Sequence, residues 1–469
     1  MDTMLADREN MSSVQLEKHD ARERIEALAA QMLDRERWPR ARLLEFQRRR
    51  LHAIVQHAVA HSPYYRHVIG DVGNDDIRLH QLPILTKTTL MAEFDRIVTD
   101  RRLRLADAER HLAGERAVEP LFGEYRVVAS GGTTGERGVV VYDQPAWEVA
   151  VASILRLMTV QGISEGTRVL GIGAPTPLHM TNRLFAELRA GRADAPRLAV
   201  TTPLREVVGA LNAYQPEALI TYPSFVRRLA EEERGGRLRI APRQFCTAAE
   251  TLTQDVRDLA RETWGAAVLN AYGATEANLI GMECPRAAGL HALEDLLVLE
   301  VVDESNRPVP PGVAGHKLLV TTLFNRTLPF IRCELSDIVT VAGGPCLCGR
   351  PHLRLASVQG RREDVLCLPA RNGGRVSVHA LQLRAPLLRM PRIRQFQVSP
   401  RPAGLLIRVV LREAGAAEGV LQSARRAIEA QLEEVGADVE TLTIEAVDEI
   451  DAREPARRRS WSAWQLEPC

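Results

Sequence analysis

The sequence predicts an α/β protein: a large N-terminal domain with a mixed, largely parallel sheet and a β-rich subdomain, then a small α+β C-terminal domain. Two observations carry this expectation. From about Tyr125, short β-branched runs (Val127-Val128, Val139-Val140-Val141, Val169-Leu170-Gly171, Leu219-Ile220-Thr221) alternate with helical patterns at 146–160, 205–213 and 224–234, and strands separated by helices pair in parallel. From 297 to 342 the helical pattern stops and strand signals follow one another, with Pro308, Pro310, Pro311 and Gly312 marking a turn between Leu297–Val302 and Leu318–Thr322.

The flanking segments are assigned in the same way. Leu28, Met32, Leu43, Leu44, Phe46, Leu51, Ile54 and Val55 recur near a 3.6-residue period within 14–60, which predicts a helical cap over residues 1–60. Polar Gly360-Arg361-Arg362-Glu363-Asp364 precedes a strand at Gln395–Val398, another at Ile407–Leu411, a helix over 417–434 and a strand at Leu442–Val447. A large domain over 1–363, with its β-rich part at 297–360, and a small domain over 364–469 are therefore expected.

At 469 residues, 45% hydrophobic and 26% charged, the composition is that of a globular protein. Basic residues number 61 and acidic ones 60, so the balance gives no reason to expect nucleic acid or an anionic membrane as partner. The charged start and the lack of any run near ~18 apolar residues lead to the expectation of a cytoplasmic protein. Seven thinly spread cysteines argue against a disulfide framework, and Cys346-Leu347-Cys348-Gly349 is spaced for a metal. Only Lys18, Lys87 and Lys317 are lysines, the other 58 basic residues being arginines. Chemistry that needs a lysine after residue 317 has none in this chain.

Three segments carry candidate chemistry. Ser130-Gly131-Gly132-Thr133-Thr134-Gly135-Glu136-Arg137-Gly138 lies between two expected strands; its glycines admit an anion close to the backbone and its hydroxyls can donate to phosphate. It lacks the Lys-Ser/Thr ending of a Walker loop, and a plain glycine-rich hairpin is the alternative. Ala271-Tyr272-Gly273-Ala274-Thr275-Glu276 follows apolar Ala267-Val268-Leu269 and is expected in a loop at a strand end, where open α/β sheets place ligands. Pro329-Phe330-Ile331-Arg332-Cys333-Glu334-Leu335-Ser336-Asp337-Ile338 then precedes the polar stretch at 360–364.

Together with Ser62-Pro63-Tyr64-Tyr65-Arg66, Leu82-Pro83-Ile84-Leu85-Thr86-Lys87, Tyr222-Pro223-Ser224, Glu283-Cys284, Gly289-Leu290-His291 and Glu294-Asp295, these ordered segments resemble the adenylate-forming (acyl-CoA synthetase) superfamily. The likeness is to its phenylacetate–CoA ligase-like branch and runs over about 60–365. It implies attack of a substrate carboxylate on the α-phosphate of ATP, giving an acyl-adenylate and pyrophosphate, and then transfer to a thiol, most often that of coenzyme A. By resemblance, Ser130, Gly131, Gly132, Thr133, Thr134 and Gly135 hold the β- and γ-phosphates. Tyr272, beside Gly273, stacks on adenine, Thr275 donates to the α-phosphate, Glu276 carries Mg²⁺, and Asp337 with Arg361 binds the ribose. Taken singly, Tyr272 reads equally as a core aromatic, Glu276 as a solvated carboxylate and Asp337 as a turn residue. Tyr222, Ala248, Ala249, Glu250 and Ala271 line an acyl pocket that suits an aromatic acid. His179 belongs to that pocket or is a capped surface histidine.

Asp364 stands at the hinge about which the family's small domain rotates, while Leu366 to Gly374 differs from the glycine-led segment that forms the pantetheine tunnel. Cys284, His291, Cys346 and Cys348 match a structural Zn²⁺ set of the branch; the alternative is a pair of buried cysteines and an unrelated histidine. The family's C-terminal Gly-Lys corresponds to Ala456-Arg457. Three readings follow: Arg457 substitutes for the lysine, the enzyme uses an unusual acid or an amine or carrier-protein acceptor, or the chain is a degenerate nucleotide-binding module. ATP, Mg²⁺, coenzyme A and Zn²⁺ are the implied cofactors, and a small-molecule acid is the implied partner, with a carrier protein and a homodimer as further options.

Overall fold

Leu43, Leu51, Ile54, Val55 and Ala58 lie on one side of a helical period and are all buried, so residues 40–61 form an amphipathic helix laid on a core. The computed structural model describes residues 13–448 apart from 71–76, 130–137, 165, 174–178, 189–195, 197, 201, 287, 362–364, 372, 380–382, 384–385, 388–389, 391, 402–403, 412–416 and 435. Helices α1 (Ser13–Arg35) and α2 (Arg40–His61) occupy the segment read as helical, with Pro39 at the break. Ser62 starts α3 (Pro63–Ile69) by accepting the Tyr65 N–H, with Pro63 in the first turn. Short α4 (Lys87–Ala92), α5 (Phe94–Ile97) and α6 (Leu105–Ala113) follow.

An antiparallel hairpin of β1 (Arg126–Ala129) and β2 (Val139–Tyr142) brackets the glycine-rich segment, of which Ser130 to Arg137 lie outside the described residues. Asp143 caps α7 (Gln144–Val160), its Oδ1 accepting the Ala146 N–H at 2.8 Å. Strands and helices then alternate as expected: β3 (Val169–Gly173), α8 (Met180–Leu188), β4 (Leu198–Ala199), α9 (Leu204–Tyr214), β5 (Ala218–Thr221), α10 (Pro223–Arg234), β6 (Gln244–Thr247), α11 (Gln254–Trp264) and β7 (Ala267–Ala274). Next come β8 (Asn278–Glu283), β9 (Leu290–Ala292), β10 (Leu297–Val302), β11 (Lys317–Thr322), β12 (Cys333–Leu335), β13 (Asp337–Val341) and β14 (Arg354–Arg361).

Among the described residues, nine strands form one sheet in the order β13-β14-β9-β8-β7-β6-β5-β3-β4. Strands β4, β3, β5, β6 and β7 pair in parallel because a helix carries the chain back between most of them. Strands β7–β8 and β8–β9 are antiparallel, as their short connections require. A second sheet, β10-β11-β12, is antiparallel throughout, so the mixed sheet and the β-rich part are both present. Leu170, Leu219, Phe245 and Val268 of the parallel strands meet Val207, Leu211, Phe225 and Leu229 of α9 and α10 in a dry core.

One expectation is corrected: Ala271 to Ala274 are strand, not loop. Pairing with β8 carries β7 four residues beyond Asn270, the last residue paired with β6. The loop is thereby reduced to a turn at 275–277.

The chain divides into two compact units at Gly360–Arg361. The second contains the hairpin β15 (Val365–Pro369)–β16 (Arg375–His379) and the antiparallel pair β17 (Ile393–Arg401)–β18 (Gly404–Leu411). Helix α12 (Ala417–Glu434) then returns the chain to β19 (Thr441–Ala446), parallel to β18. Ile407, Val409, Ala424, Ile428 and Leu432 form its core.

Candidate active site and metal centre

Parallel strands bring the loops at their carboxyl ends to one edge of the sheet, where side chains from several loops can meet one ligand. Thr221, Thr247 and Asn270 are register partners on β5, β6 and β7, so Tyr222 and Ala248, which directly follow β5 and β6, and Ala271, still within β7, leave one edge of the parallel sheet. Ala271 is buried, Tyr222 and Ala248 are half-buried, and Ala249 adopts a left-handed φ of 66° at the turn leading to Glu250. The Glu250 carboxylate is exposed and accepts both the Ser224 N–H and its hydroxyl, each at 2.9 Å. It thus closes the N-terminus of α10, where Tyr222 supplies no side-chain cap. Burial, and then the Glu250 charge, raise the Tyr222 phenol. His179, half-buried, precedes α8 after β3, and its carbonyl accepts the Arg183 N–H.

The turn after β7 is clamped from several sides. A bulge falls between Tyr272 and Gly273, and a Cβ on Gly273 would stand 2.5 Å from the Asn278 carbonyl oxygen, so only glycine fits. Asn278 takes a left-handed φ of 59°, and its amide donates to the Ala150 carbonyl at 3.2 Å and to the Ser153 Oγ at 2.9 Å. The Tyr142 hydroxyl donates to the Thr275 carbonyl at 2.8 Å. Thr275 and Glu276 are half-buried, whereas Tyr272 is 8% exposed and belongs to the core. Burial first, and then the Glu276 carboxylate, push the Tyr142 phenol and the Cys333 thiol well up; Lys87 opposes this at Cys333. Leu85 forms a parallel bridge with Cys333, so the Leu82–Lys87 segment flanks the strand that leads through Ser336 to half-buried Asp337 at the start of β13.

The assigned residues are therefore partly assembled. Tyr222, Ala248, Glu250, Ala271, Thr275 and Glu276 share the carboxyl edge of β5, β6 and β7. Arg361 ends β14. Ser130 to Gly135, Asp364 and Arg457 lie outside the described residues.

Cys284, His291, Cys346 and Cys348 converge, their ligand atoms all lying within 4.8 Å of one another. The Sγ atoms of Cys284 and Cys346 are 4.0 Å apart, and Cys348 Sγ is 3.4 Å from His291 Nε2. His291 sits in β9 rather than in a loop shared with Cys284, because the hairpin from β8 returns as strand at Leu290, which pairs with Glu283. Burial and then Arg350 hold its imidazole down to about 4, which keeps it neutral and able to coordinate. Burial also pushes Cys284 up to about 11. Burial would likewise raise Cys348, but N–H donors of Arg350 outweigh it and lower that thiol.

A buried charge network, to which the sequence assigned no role, adjoins this cluster. Arg156 is fully buried and donates to Glu36, to Asp295 at 2.7 Å and to His352 Nε2 at 2.9 Å. Arg35 donates to the other Asp295 oxygen at 2.8 Å, and Arg350 pairs with Glu36 at 2.9 Å. Glu294-Asp295 was the one signal of it in the sequence; nothing marked Arg156 or Tyr142.

Residues 127–321 match the family described as AMP-binding enzyme. A phenylacetate–coenzyme A ligase of Thermus thermophilus is 28% identical over 382 residues, covering 78% of this chain and 80% of that protein. A fumarate–(S)-2,3-diaminopropanoate ligase of Enterobacter agglomerans is 22% identical over 295 residues, covering 61% of this chain and 67% of that protein. Among solved structures, 2-hydroxyisobutyryl-CoA ligase in the postadenylation state, in complex with R3-HIB-AMP, superposes with a TM-score of 0.69 at 20% identity, covering 92% of this chain and 94% of that one.

Proposed function

We propose that this chain, whose residues 127–321 match AMP-binding enzymes, is an adenylate-forming enzyme that couples a small carboxylic acid, aromatic in type, to a thiol through an acyl-adenylate. The observation that carries this reading is that Tyr222 and Ala248 directly follow, and Ala271 stands one residue past, the register-paired Thr221, Thr247 and Asn270 of three neighbouring parallel strands, beside a clamped turn bearing Thr275 and Glu276. The alanines leave room for a ring next to the point where the carboxylate meets the α-phosphate. Thr275 donates to that phosphate and Glu276 binds Mg²⁺, which offsets the charge on the phosphoryl oxygens. Ser130 to Gly135 hold the outer phosphates, Tyr272 and Gly273 the adenine, and Asp337 with Arg361 the ribose. Asp364 is the hinge, and Arg457 supplies positive charge where relatives use lysine; its planar fork binds phosphate but is not a like-for-like ammonium.

Coenzyme A is the acceptor this reading favours, in keeping with the phenylacetate–coenzyme A ligase relative. The relative named for ligation to diaminopropanoate supports an amine as second acceptor. Zinc is the metal that suits the cysteine–histidine cluster: a tetrahedral ion bonded at ~2.3 Å to sulfur and ~2.0 Å to nitrogen spaces its ligands by roughly 3.5–3.8 Å, close to the 4.0 and 3.4 Å separations. Four protein ligands leave no site for substrate, so its role is structural.

Acid-dependent ATP–pyrophosphate exchange across a panel of aryl and short acyl acids tests the activity. An aryl acid should support exchange, and Glu276→Gln should reduce it by about a hundredfold or more. Exchange with none of the acids, together with no ATP binding, would overturn the reading in favour of an inactive module. Arg457→Lys should alter the exchange rate if Arg457 takes the lysine's place, and trapping with coenzyme A against amines identifies the acceptor.

A further inference from the structure

We propose that Tyr142 is a positioning residue for MgATP: from the strand that leaves the glycine-rich segment, its buried hydroxyl fixes the turn carrying Thr275 and Glu276. This rests on the assignment of those two residues to the nucleotide made above. Tyr142 is fully buried and its hydroxyl donates to the Thr275 carbonyl at 2.8 Å. A buried hydroxyl must be paired, and this one is spent on a turn of three residues, 275–277, rather than on a regular strand. The far end of the turn is held by Asn278, in its left-handed conformation, through Ala150 and Ser153. Glu276 lies between the two clamps, and its backbone has little freedom left.

The post to which the turn is tied is itself held by hydrogen bonds on both sides. The Val141 carbonyl accepts from Asn325 Nδ2 at 2.9 Å, while the Asp143 carboxylate accepts the Ala146 N–H at 2.8 Å and the Thr327 hydroxyl at 2.9 Å. Strand β2 begins immediately after Gly138 in the sequence. Burial and the Glu276 charge keep the phenol protonated, and Tyr142 stays a donor at any working pH.

Tyr142→Phe keeps the ring and removes only the hydroxyl. Calorimetric titration of the full chain with ATP over a range of Mg²⁺ concentrations, with thermal unfolding in parallel, separates positioning from bulk stability. Tyr65→Phe is the matched reference, since the Tyr65 hydroxyl is equally buried and donates to the Pro329 carbonyl at 2.7 Å. Tyr142→Phe should weaken MgATP binding by about fivefold to tenfold, the worth of one buried hydrogen bond, and raise the Mg²⁺ needed for half-saturation. ATP binding without Mg²⁺ should weaken less than MgATP binding, since only the Thr275 contact is then at stake, and Tyr65→Phe should lower the melting temperature alone. Wild-type MgATP binding by Tyr142→Phe, while Glu276→Gln weakens it, overturns the positioning role and spares the functional reading. Full MgATP binding by Glu276→Gln, or none by the wild type, overturns that reading and the inference with it. If Tyr142→Phe fails to fold, Asn278→Gly, which frees the other end of the turn and tolerates its φ, should show the same Mg²⁺ shift; a wild-type Mg²⁺ profile there overturns the proposal.

Discussion

His352 is buried against the Arg156 guanidinium, and burial first, then that charge, hold its imidazole down to about 3. His291 is held to about 4 by burial and Arg350. Unfolded, both would take up a proton below about 6.5, whereas the folded protein keeps them neutral, so acid favours the unfolded chain. Their contribution to stability is complete above about 6.5 and is lost as pH falls toward the folded values. The thermal midpoint should therefore decline steadily from pH ~6.5 to ~4, and His352→Gln should flatten part of that slope; scanning calorimetry across buffers checks both. Of these two histidines, only His291 could be singled out from the sequence, because Cys-x-Cys lay within reach of it in a recognisable pattern. His352 owes its state to Arg156, 196 residues away, a proximity that no local pattern encodes.

The hairpin β8–β9 and the turn between β13 and β14 each carry two of the four candidate metal ligands. A Cβ on Gly289 would lie 2.4 Å from the Leu355 carbonyl oxygen, and its φ of 103° suits glycine. That close approach lets β9 align with β14, pairing His291 with Arg354 and Leu290 with Leu355, and so sets the imidazole opposite Cys348. Protein purified without added zinc should contain a near-stoichiometric amount by elemental analysis. Cys348→Ser should weaken its retention against a chelator by at least about a hundredfold, since losing even a supporting contact costs about ten- to a hundredfold. Chelation should also lower the melting temperature, because the ion joins two elements separated in sequence. Helices α7, α9 and α10 were legible as helical patterns at 146–160, 205–213 and 224–234, and Pro145 and Pro223 sit in the first turns of α7 and α10. The extension of β7 through Ala274 was not, because its partner β8 exists only once the turn has formed.

Across the whole large unit, Arg156 ties α7 to Glu36 in the turn between α1 and α2, to Asp295 after β9, and to His352 before β14. Arg35 and Arg350 complete the network, in which burial opposes ionisation of Asp295 but Arg156, His352 and Arg35 hold its carboxyl well below the usual carboxylate range. Arg156→Met would leave Asp295 to Arg35 and Glu36 to Arg350, removing the charge-assisted hydrogen bonds that join them, and urea unfolding should register a loss of about 1.5–3 kcal/mol. The sequence by itself determined the fold class, the order of strands and helices, the β-rich part, the likeness to adenylate-forming enzymes and the absence of any lysine after Lys317, because periodicity, turn residues and composition are local properties. Only the tertiary structure decided that Thr221, Thr247 and Asn270 come into register, that Tyr142 reaches the Thr275 carbonyl, that three cysteines and a histidine able to hold a metal meet, and that Arg156 is buried among carboxylates. Each of these depends on strand register or on packing between distant segments, and neither is written in the residues on either side.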